Sequence, residues 1–326
     1  MKKLFLTFLL LGALIPGQAL ANSFSGQATV IDGTVAGFGK ITLVDTGPLP
    51  STGGSLESSL LDANIPGLLS ANVLHATTIG MGDQSRAEAS VAKLNLTVAG
   101  NTIGANLLMS RARASCGPNG PSASGTSDIV DLMINGQTIT VTGEPNQTIN
   151  LPPPIGGYVR LNEQDQPNSG DITVSALHVF VPGIADLFVS RAHADITCTG
   201  GQACPADKDF VTGGGRVPTP NGEGSFGVAG GMKDGGYWGH LTFIDHGSGM
   251  KVKGTGVTRY IVTGPTTRHI EGTCETTPQG DTTYLIDVDD QGEPGNNDKL
   301  ILTLMPSGYK AGVKLDAGNI QLHTCK

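Results

Sequence analysis

The sequence predicts an all-β fold made of two β domains, each sandwich-like or barrel-like. Glycine makes up 48 of the 326 residues, about twice its average share of roughly 7%. Charged residues make up 15%, against about 25% in an average domain, which excludes a helical bundle or a coiled coil. Between the glycines, short segments alternate apolar and polar residues, which is typical of half-buried strands. We therefore expect few or no helices beyond the N-terminal segment.

The first 21 residues have the pattern of a secretory signal peptide. A positively charged start precedes an apolar stretch over residues 4–15, and small residues follow at 19–21. This pattern predicts cleavage after Ala21 and a mature chain that starts at Asn22. The apolar stretch is too short to span a membrane, and no later segment predicts a transmembrane helix. We therefore expect a secreted protein of the periplasm or the medium.

The charge of the chain argues against nucleic acid as a partner. The formal net charge is −8, and no basic patch indicates binding to nucleic acid or to an anionic membrane. The partners that we expect are instead an envelope or extracellular polymer, or a protein.

The first β domain is expected over residues 22–198. A turn-rich loop at 47–54 precedes leucines whose spacing favours a short helix over residues 55–62. Asn135-Gly136, between two β-branched segments, predicts a type I′ hairpin. The predicted strands cover residues 25–44, 87–98, 103–114, 129–134, 138–141, 172–181 and 185–194.

The second β domain is expected over residues 207–326, after a linker at 199–206. Short strands with turn residues between them again predict a sandwich or a barrel. The predicted strands cover residues 224–229, 239–245, 252–262, 282–288, 300–305, 312–315 and 319–324.

Four motifs of the second domain carry a family resemblance. They are Asp-Phe-Val-Thr-Gly-Gly-Gly at 209–215, Gly-His-Leu-Thr-Phe-Ile-Asp-His at 239–246, Asp-Asp-Gln-Gly-Glu-Pro-Gly at 289–295 and Gly-Asn-Ile-Gln-Leu-His at 318–323. Together they resemble the post-COAP-1 domain of exported bacterial proteins.

The first domain resembles the choice-of-anchor P domain that often precedes the post-COAP-1 domain. The resemblance rests on residues 87–116, the hairpin at 134–136, and the motifs at 161–164 and 176–179. It implies a surface or secreted bacterial protein of unknown activity, in a family named for its varied C-terminal sorting signals. The sequence ends shortly after His323 without such a signal, which favours release over covalent wall attachment.

Five cysteines follow the N-terminal segment, and an oxidising compartment makes them disulfide candidates. Five cysteines allow fifteen schemes with two bonds, and the sequence alone does not select one. Because a bond is expected to close a loop inside one folding unit, we predict Cys116–Cys198 and Cys274–Cys325. Cys204 is then the odd thiol, and the spacing of Cys198 and Cys204 is not that of a structural zinc site.

An acidic loop at residues 287–298 has the spacing of a calcium loop. Oxygen ligands fall at alternate positions, glycine stands at the sixth position, and a carboxylate stands at the twelfth. Three features depart from the EF-hand pattern: a proline at the eighth position, Asp in place of Glu at the twelfth, and strands as flanks. These departures favour the alternative, an acidic, solvated hairpin loop. The candidate calcium ligands are Asp287, Asp289, Gln291, Glu293 and Asp298.

Two further features suggest binding or catalysis. Tyr237 and Trp238 could stack on a sugar ring, or they could fill the core. His240 and His246 lie on one predicted strand, about 20 Å apart when it is extended, so one metal ion cannot bridge them and we expect exposed strand histidines. No Gly-x-Ser-x-Gly elbow is present.

These observations predict a secreted, non-enzymatic interaction or structural protein of the cell envelope or its surroundings. One alternative is an extracellular hydrolase, which requires a cleft that gathers His178 with Glu163 or Asp165, or the pair Asp245 and His246. The other alternative is a carbohydrate-binding protein assisted by calcium. Clustered carboxylates would favour the enzyme, and a flat aromatic patch would favour sugar binding.

Overall fold

In the part of the chain that the structure describes, all regular structure is β-strand, which confirms the predicted all-β fold. The computed structural model describes residues 22–153, 156–200, 209–233 and 235–324. These residues form three antiparallel sheets of six, seven and nine strands and contain no helix. No described segment is a helix long and apolar enough to cross a membrane.

The first unit, residues 22–200, contains thirteen strands. In chain order they are β1 (Ser23–Val35), β2 (Gly39–Asp45), β3 (Gly54–Ile65), β4 (Leu69–Met81), β5 (Gln84–Val98), β6 (Asn101–Gly117), β7 (Gly120–Val130), β8 (Met133–Ile134), β9 (Gln137–Thr138), β10 (Gln147–Asn150), β11 (Tyr158–Asn168), β12 (Asp171–Val181) and β13 (Ala185–Thr197).

These strands form two sheets that pack face to face. The six-stranded sheet has the order β10-β11-β12-β13-β1-β2, and the seven-stranded sheet has the order β3-β4-β5-β6-β8-β9, with β7 paired to β6. Small and branched apolar side chains such as Ala89, Val91 and Val189 alternate inward and fill the space between the sheets. This alternation is the pattern from which the strands were predicted.

Residues 55–62 form part of a strand, so the helix predicted there is wrong. They belong to β3, which pairs with β4 in unbroken register from Gly54–Gly80 to Leu60–Leu74. The spacing of the leucines fits a helical face, but pairing with a long neighbouring strand overrides that weak local preference.

The predicted hairpin at Asn135-Gly136 is confirmed. Met133 and Ile134 pair with Thr138 and Gln137. Asn135 and Gly136 have φ angles of 52° and 77°, as both central residues of a type I′ turn require.

The second unit, residues 209–324, contains nine strands in one sheet that curves into a half-barrel. Its order is β21-β20-β19-β18-β17-β16-β15-β14-β22. The strands are β14 (Asp209–Thr219), β15 (Gly222–Lys233), β16 (Gly236–Asp245), β17 (Met250–Val262), β18 (Thr267–Thr277), β19 (Gly280–Asp289), β20 (Lys299–Met305), β21 (Lys310–Ala311) and β22 (Ala317–Thr324).

Strand β15 shows how the second unit is built. Phe226 and Val228 point into the apolar core of the half-barrel. Gly227, Ala229 and Gly231 alternate with them and face the other way. The outward face of this strand therefore carries almost no side-chain volume, and the first unit can approach closely.

The two units have separate apolar cores and meet along one interface. The cores lie on either side of the predicted linker at 199–206, most of which is outside the described residues. At the interface, Val73 and Ala92 of the first unit pack against Ile244 of the second. An ion pair of 2.7 Å between Lys251 and Asp62 also joins the units.

Cys116 and Cys198 form a disulfide bond, with a Cα–Cα distance of 5.7 Å. The bond joins the end of β6 to the segment after β13, so it connects the two sheets of the first unit. Cys274 is a buried free thiol. Its predicted partner Cys325 lies outside the described residues, as does Cys204.

Candidate functional site between the two units

The face that the seven-stranded sheet turns toward the second unit carries charged side chains in rows. Directly opposed residues of an antiparallel pair lie on the same face of the sheet. Arg86 on β5 is opposite Arg113 on β6, and Glu88 is opposite Arg111. On β7, Thr126 extends the row of Arg111. Period-two alternation on three neighbouring strands therefore builds one polar surface.

A cavity of about 170 Å³ lies between this polar surface and the second unit. Both charged pairs of strands β5 and β6, Arg86 with Arg113 and Glu88 with Arg111, contribute to its wall. The second unit closes it with Glu293 and Pro294, from the loop between β19 and β20, and with Gln321 of β22. We refer to this cavity as the interunit pocket.

Arg111 is the arginine of the pocket that forms an ion pair within the described residues. Its guanidinium forms two contacts with the Asp128 carboxylate, of 2.9 Å and 3.2 Å. The Arg111 side chain is only 11% exposed. This two-pronged pair neutralises Arg111 and holds it in place.

Arg86 and Arg113 form no ion pair with a carboxylate of the described ranges. Arg86 donates a hydrogen bond of 2.5 Å to the side-chain oxygen of Gln84. Arg86 and Arg113 are directly opposed on the paired strands. Like charges in this position repel each other. Burial of Arg86, together with the charge of Arg113, lowers the pKa of Arg86 to about 10, although the charges of Glu293, Asp290 and Asp83 oppose this effect. An anionic group in the pocket would relieve this repulsion.

Glu88 supplies an uncharged acid at the base of the pocket. The residue is 5% exposed, and burial raises its pKa to about 8, although the charge of Arg111 opposes this effect. Oε1 of Glu88 has no hydrogen-bond partner in the described structure. Asn319 donates a long hydrogen bond of 3.4 Å to Oε2. Glu88 is therefore protonated at neutral pH and can donate a hydrogen bond.

The sequence did not lead to a prediction for any of the four charged residues of the pocket wall. It does contain a signal, because two largely apolar strands each carry two charged residues two positions apart: Arg86 with Glu88, and Arg111 with Arg113. Period-two spacing places each pair on one face. The register that brings the two pairs together is not visible in the sequence.

The predicted calcium ligands are used inside the protein as hydrogen-bond acceptors. Asp298 is fully buried, and its two oxygens accept hydrogen bonds of 2.8 Å from the backbone N–H groups of Gln291 and Ile320. Asp289 accepts hydrogen bonds from Thr266 and from the Gln291 side chain.

The other two carboxylates of the predicted calcium loop point to separate partners. Asp287 lies 2.7 Å from the His269 ring, and Glu293 accepts a hydrogen bond of 2.6 Å from Gln321. No three of the predicted carboxylates, all within the described ranges, lie close enough together to hold one ion. The geometry therefore favours the alternative interpretation, an acidic loop closed by its own hydrogen bonds.

Tyr237 and Trp238 do not form a common stacking platform. They are consecutive on β16, so their side chains project from opposite faces. Tyr237 is 49% exposed. Trp238 is half-buried, meets the Phe210 ring edge-on, and lies under the Lys233 ammonium.

The structure brings Glu163 and His178 together, as the hydrolase alternative requires, but leaves the imidazole fully occupied. The His178 ring nitrogens lie 2.7 Å from Glu163 and 2.8 Å from Asp186. Phe188 stacks on the ring at 4.0 Å between centroids. Because both ring nitrogens are engaged by carboxylates, neither is free to take a proton from a substrate. Asp165 is not part of the group.

Asp245 and His246 do not act as a pair. Asp245 accepts hydrogen bonds from Asn221 and Tyr309, at 2.8 Å and 2.9 Å. Burial raises the pKa of Asp245, but these and other hydrogen bonds outweigh burial and lower it to about 2. His246 contacts Ser225, which is fully buried. The arrangement stabilises a turn and presents no nucleophile to a substrate.

Comparison with known proteins leaves the family of this chain open. No protein-family model matches it, and no curated protein matches it. Among solved structures, kievitone hydratase from Nectria haematococca is 9% identical, over 93% of this chain and 89% of that chain, with a TM-score of 0.21. Intact Ap-TbpB, with its N and C lobes, is 10% identical over 94% and 78%, with a TM-score of 0.19. At these TM-scores neither similarity supports a conclusion about fold or function.

Proposed function

We propose that this chain is a secreted, non-enzymatic binding protein of the bacterial envelope or its surroundings, and that its interunit pocket binds a carboxylate group of an acidic polymer. The signal-peptide pattern and the resemblance to exported bacterial proteins support the location. The geometry of the pocket supports the ligand class.

The observation that carries the proposal is a pair of opposed arginines that form no ion pair with a carboxylate of the described residues. Arg86 and Arg113 face each other across neighbouring strands, and Arg86 is largely enclosed. The planar guanidinium group binds a carboxylate through two parallel hydrogen bonds. A carboxylate between the two residues would replace their repulsion with two attractions.

The charge balance of the pocket favours a group with a single negative charge. Arg86 and Arg113 each contribute one positive charge, and Glu293 contributes one negative charge. Arg111 is neutralised by its ion pair, and Glu88 is uncharged at neutral pH. The net charge of the pocket is therefore positive by one, which matches one carboxylate. Protonated Glu88 adds a hydrogen-bond donor that a carboxylate can accept.

The size of the pocket favours one side group of a larger molecule. A cavity of about 170 Å³ is smaller than the roughly 300–1,000 Å³ typical of sites that enclose a whole drug-sized ligand. We therefore expect the acidic group of a sugar unit to enter the pocket while the rest of the polymer lies outside.

Calorimetric titration with a galacturonate oligomer tests the proposal, with a neutral glucose oligomer of equal length as the control ligand. We expect the wild-type protein to bind the acidic oligomer and Arg113→Gln to weaken binding by about 10–100-fold, because charge-assisted hydrogen bonds contribute about 1.5–3 kcal/mol. Arg259→Gln is the matched control, since Arg259 is 58% exposed and lies on the second unit.

Equal binding of the acidic and neutral oligomers would contradict the proposal. So would equal losses in the Arg113 and Arg259 variants, because that result would reflect overall charge rather than the pocket.

A further inference from the structure

A second cluster of polar side chains lies at the same interface. It consists of Glu57 on β3, His75 on β4 and His240 on β16, so two strands of the first unit and one strand of the second contribute to it. One potential ligand atom from each residue lies within 4.8 Å of the other two. Among the described residues, these three form the group of His, Cys, Asp or Glu side chains that lie close enough together to hold a metal ion.

His75 is buried without a hydrogen-bond partner. Its exposure is 0%, and neither ring nitrogen has a partner in the described structure. Buried polar groups are nearly always satisfied, so a fully enclosed imidazole without a partner needs an explanation. A metal ion bound to one ring nitrogen would provide the missing partner.

His240 completes the group from the opposite side. Its Nδ1 lies 2.7 Å from Oε2 of Glu57, but neither ring nitrogen makes a contact with the geometry of a hydrogen bond. The rings of His240 and His75 are 5.3 Å apart between centroids. Their side chains thus converge on one small volume, in contrast to the exposed histidine that the sequence predicted at position 240.

The second unit makes room for this cluster with a glycine. A Cβ atom at Gly227 would lie 2.9 Å from the Cβ and 3.1 Å from the Cγ of His75. A side chain at this position of β15 would therefore force His75 out of its place. Because Gly227 has no side chain, the buried imidazole of His75 can pack against the backbone of β15.

We propose that Glu57, His75 and His240 bind one divalent transition-metal ion, with Zn²⁺ as the best match, and that this ion fastens the two units together. Two imidazoles and a carboxylate are a known ligand set of zinc. Calcium and magnesium prefer oxygen ligands alone.

This metal site is distinct from the interunit pocket. Glu57 is opposite Thr77, and Thr77 is opposite Glu88, so Glu57 and Glu88 are two strand spacings apart, about 10 Å. The proposal does not depend on the identity of the ligand in the pocket.

Metal titration of the mature chain, produced without a histidine tag and freed of metal with a chelator, tests this proposal. Calorimetry with Zn²⁺ is expected to give one site per chain. Co²⁺ is expected to give the visible absorption bands of a low-coordinate site, and Zn²⁺ is expected to raise the melting temperature because it binds only the folded chain.

Three variants locate the site. Glu57→Gln and His240→Asn are each expected to weaken Zn²⁺ binding by about 10–100-fold or more. Mutation of a residue that only supports a metal ligand already lowers metal affinity by this factor. His193→Asn is the matched control, because His193 lies on the six-stranded sheet beside Asp171. Circular dichroism and melting of the metal-free variants show whether they fold.

Two outcomes would overturn the proposal. One is the lack of a Zn²⁺ site in the wild-type chain, and another is binding that both Glu57→Gln and His240→Asn leave unchanged. If His240→Asn does not fold, Glu57→Gln decides, because it keeps the shape of the side chain and removes only the charge.

Discussion

The protonated acid of the interunit pocket gives a prediction about stability. The pKa of Glu88 is raised from 4.5 to about 8. Between these pH values the unfolded chain releases the proton and the folded chain keeps it, so the folded state becomes less stable as pH rises. The raised pKa lowers the free energy of unfolding by ~5 kcal/mol above pH 8 and by ~3 kcal/mol at pH 7. Glu88→Gln keeps the shape of the side chain and removes this cost.

Urea unfolding of wild type and Glu88→Gln at pH 5, 7 and 9 measures the effect. The two proteins are expected to be similar at pH 5, and the variant is expected to become progressively more stable than wild type toward pH 9. Glu144→Gln, at an exposed position, is the control and should follow wild type. Parallel curves for wild type and Glu88→Gln would refute the reasoning that Glu88 is buried as a neutral acid.

Three other predictions concern binding and stability. Binding of the acidic oligomer should weaken as pH rises through about 8, where Glu88 ionises, and titration calorimetry of Glu88→Gln should show no such weakening. Replacing both Cys116 and Cys198 with Ala should cost about 4–5 kcal/mol in urea unfolding, because the bond closes a loop with a sequence separation of 82. Asp245→Asn should cost ~2 kcal/mol at neutral pH, since the pKa of Asp245 is lowered from 3.8 to about 2. In urea unfolding, this last difference should shrink as pH falls below about 4, where the stability from ionised Asp245 is progressively lost.

Much of the fold could be predicted because it depends on local patterns. Period-two alternation marked the strands, and Asn135-Gly136 marked a hairpin whose two residues take the positive φ that this turn requires. The helix predicted at residues 55–62 was wrong because the structure there depends on a contact that is distant in sequence. There the local leucine spacing favoured a helix, and pairing with β4, a tertiary contact, decided the structure.

The candidate sites could not be predicted because they depend on register and on contacts between the units. The sequence shows that Arg86 and Arg113 lie in strands, but only the pairing of β5 with β6 places them opposite each other. From the sequence, His240 was compared only with His246 on the same predicted strand, as a possible second ligand of one metal ion. Its true neighbours are Glu57 and His75, which come from the other unit.

The acidic loop at 287–298 shows why spacing alone is a weak guide to a metal site. Its carboxylates have the sequence spacing of a calcium loop, yet Asp298 turns inward and accepts two backbone hydrogen bonds. Backbone N–H groups near a carboxylate compete with a cation for the same oxygens. The outcome depends on the path of β22, which the loop sequence does not encode.

A crystal structure of the protein soaked with a galacturonate oligomer would show whether the interunit pocket holds an acidic group. We predict a carboxylate between the guanidinium groups of Arg86 and Arg113, within hydrogen-bond distance of Glu88. An oligomer bound elsewhere would contradict the proposed function. So would an interunit pocket without the oligomer, in which Arg86 and Arg113 are each paired with a carboxylate of the protein itself.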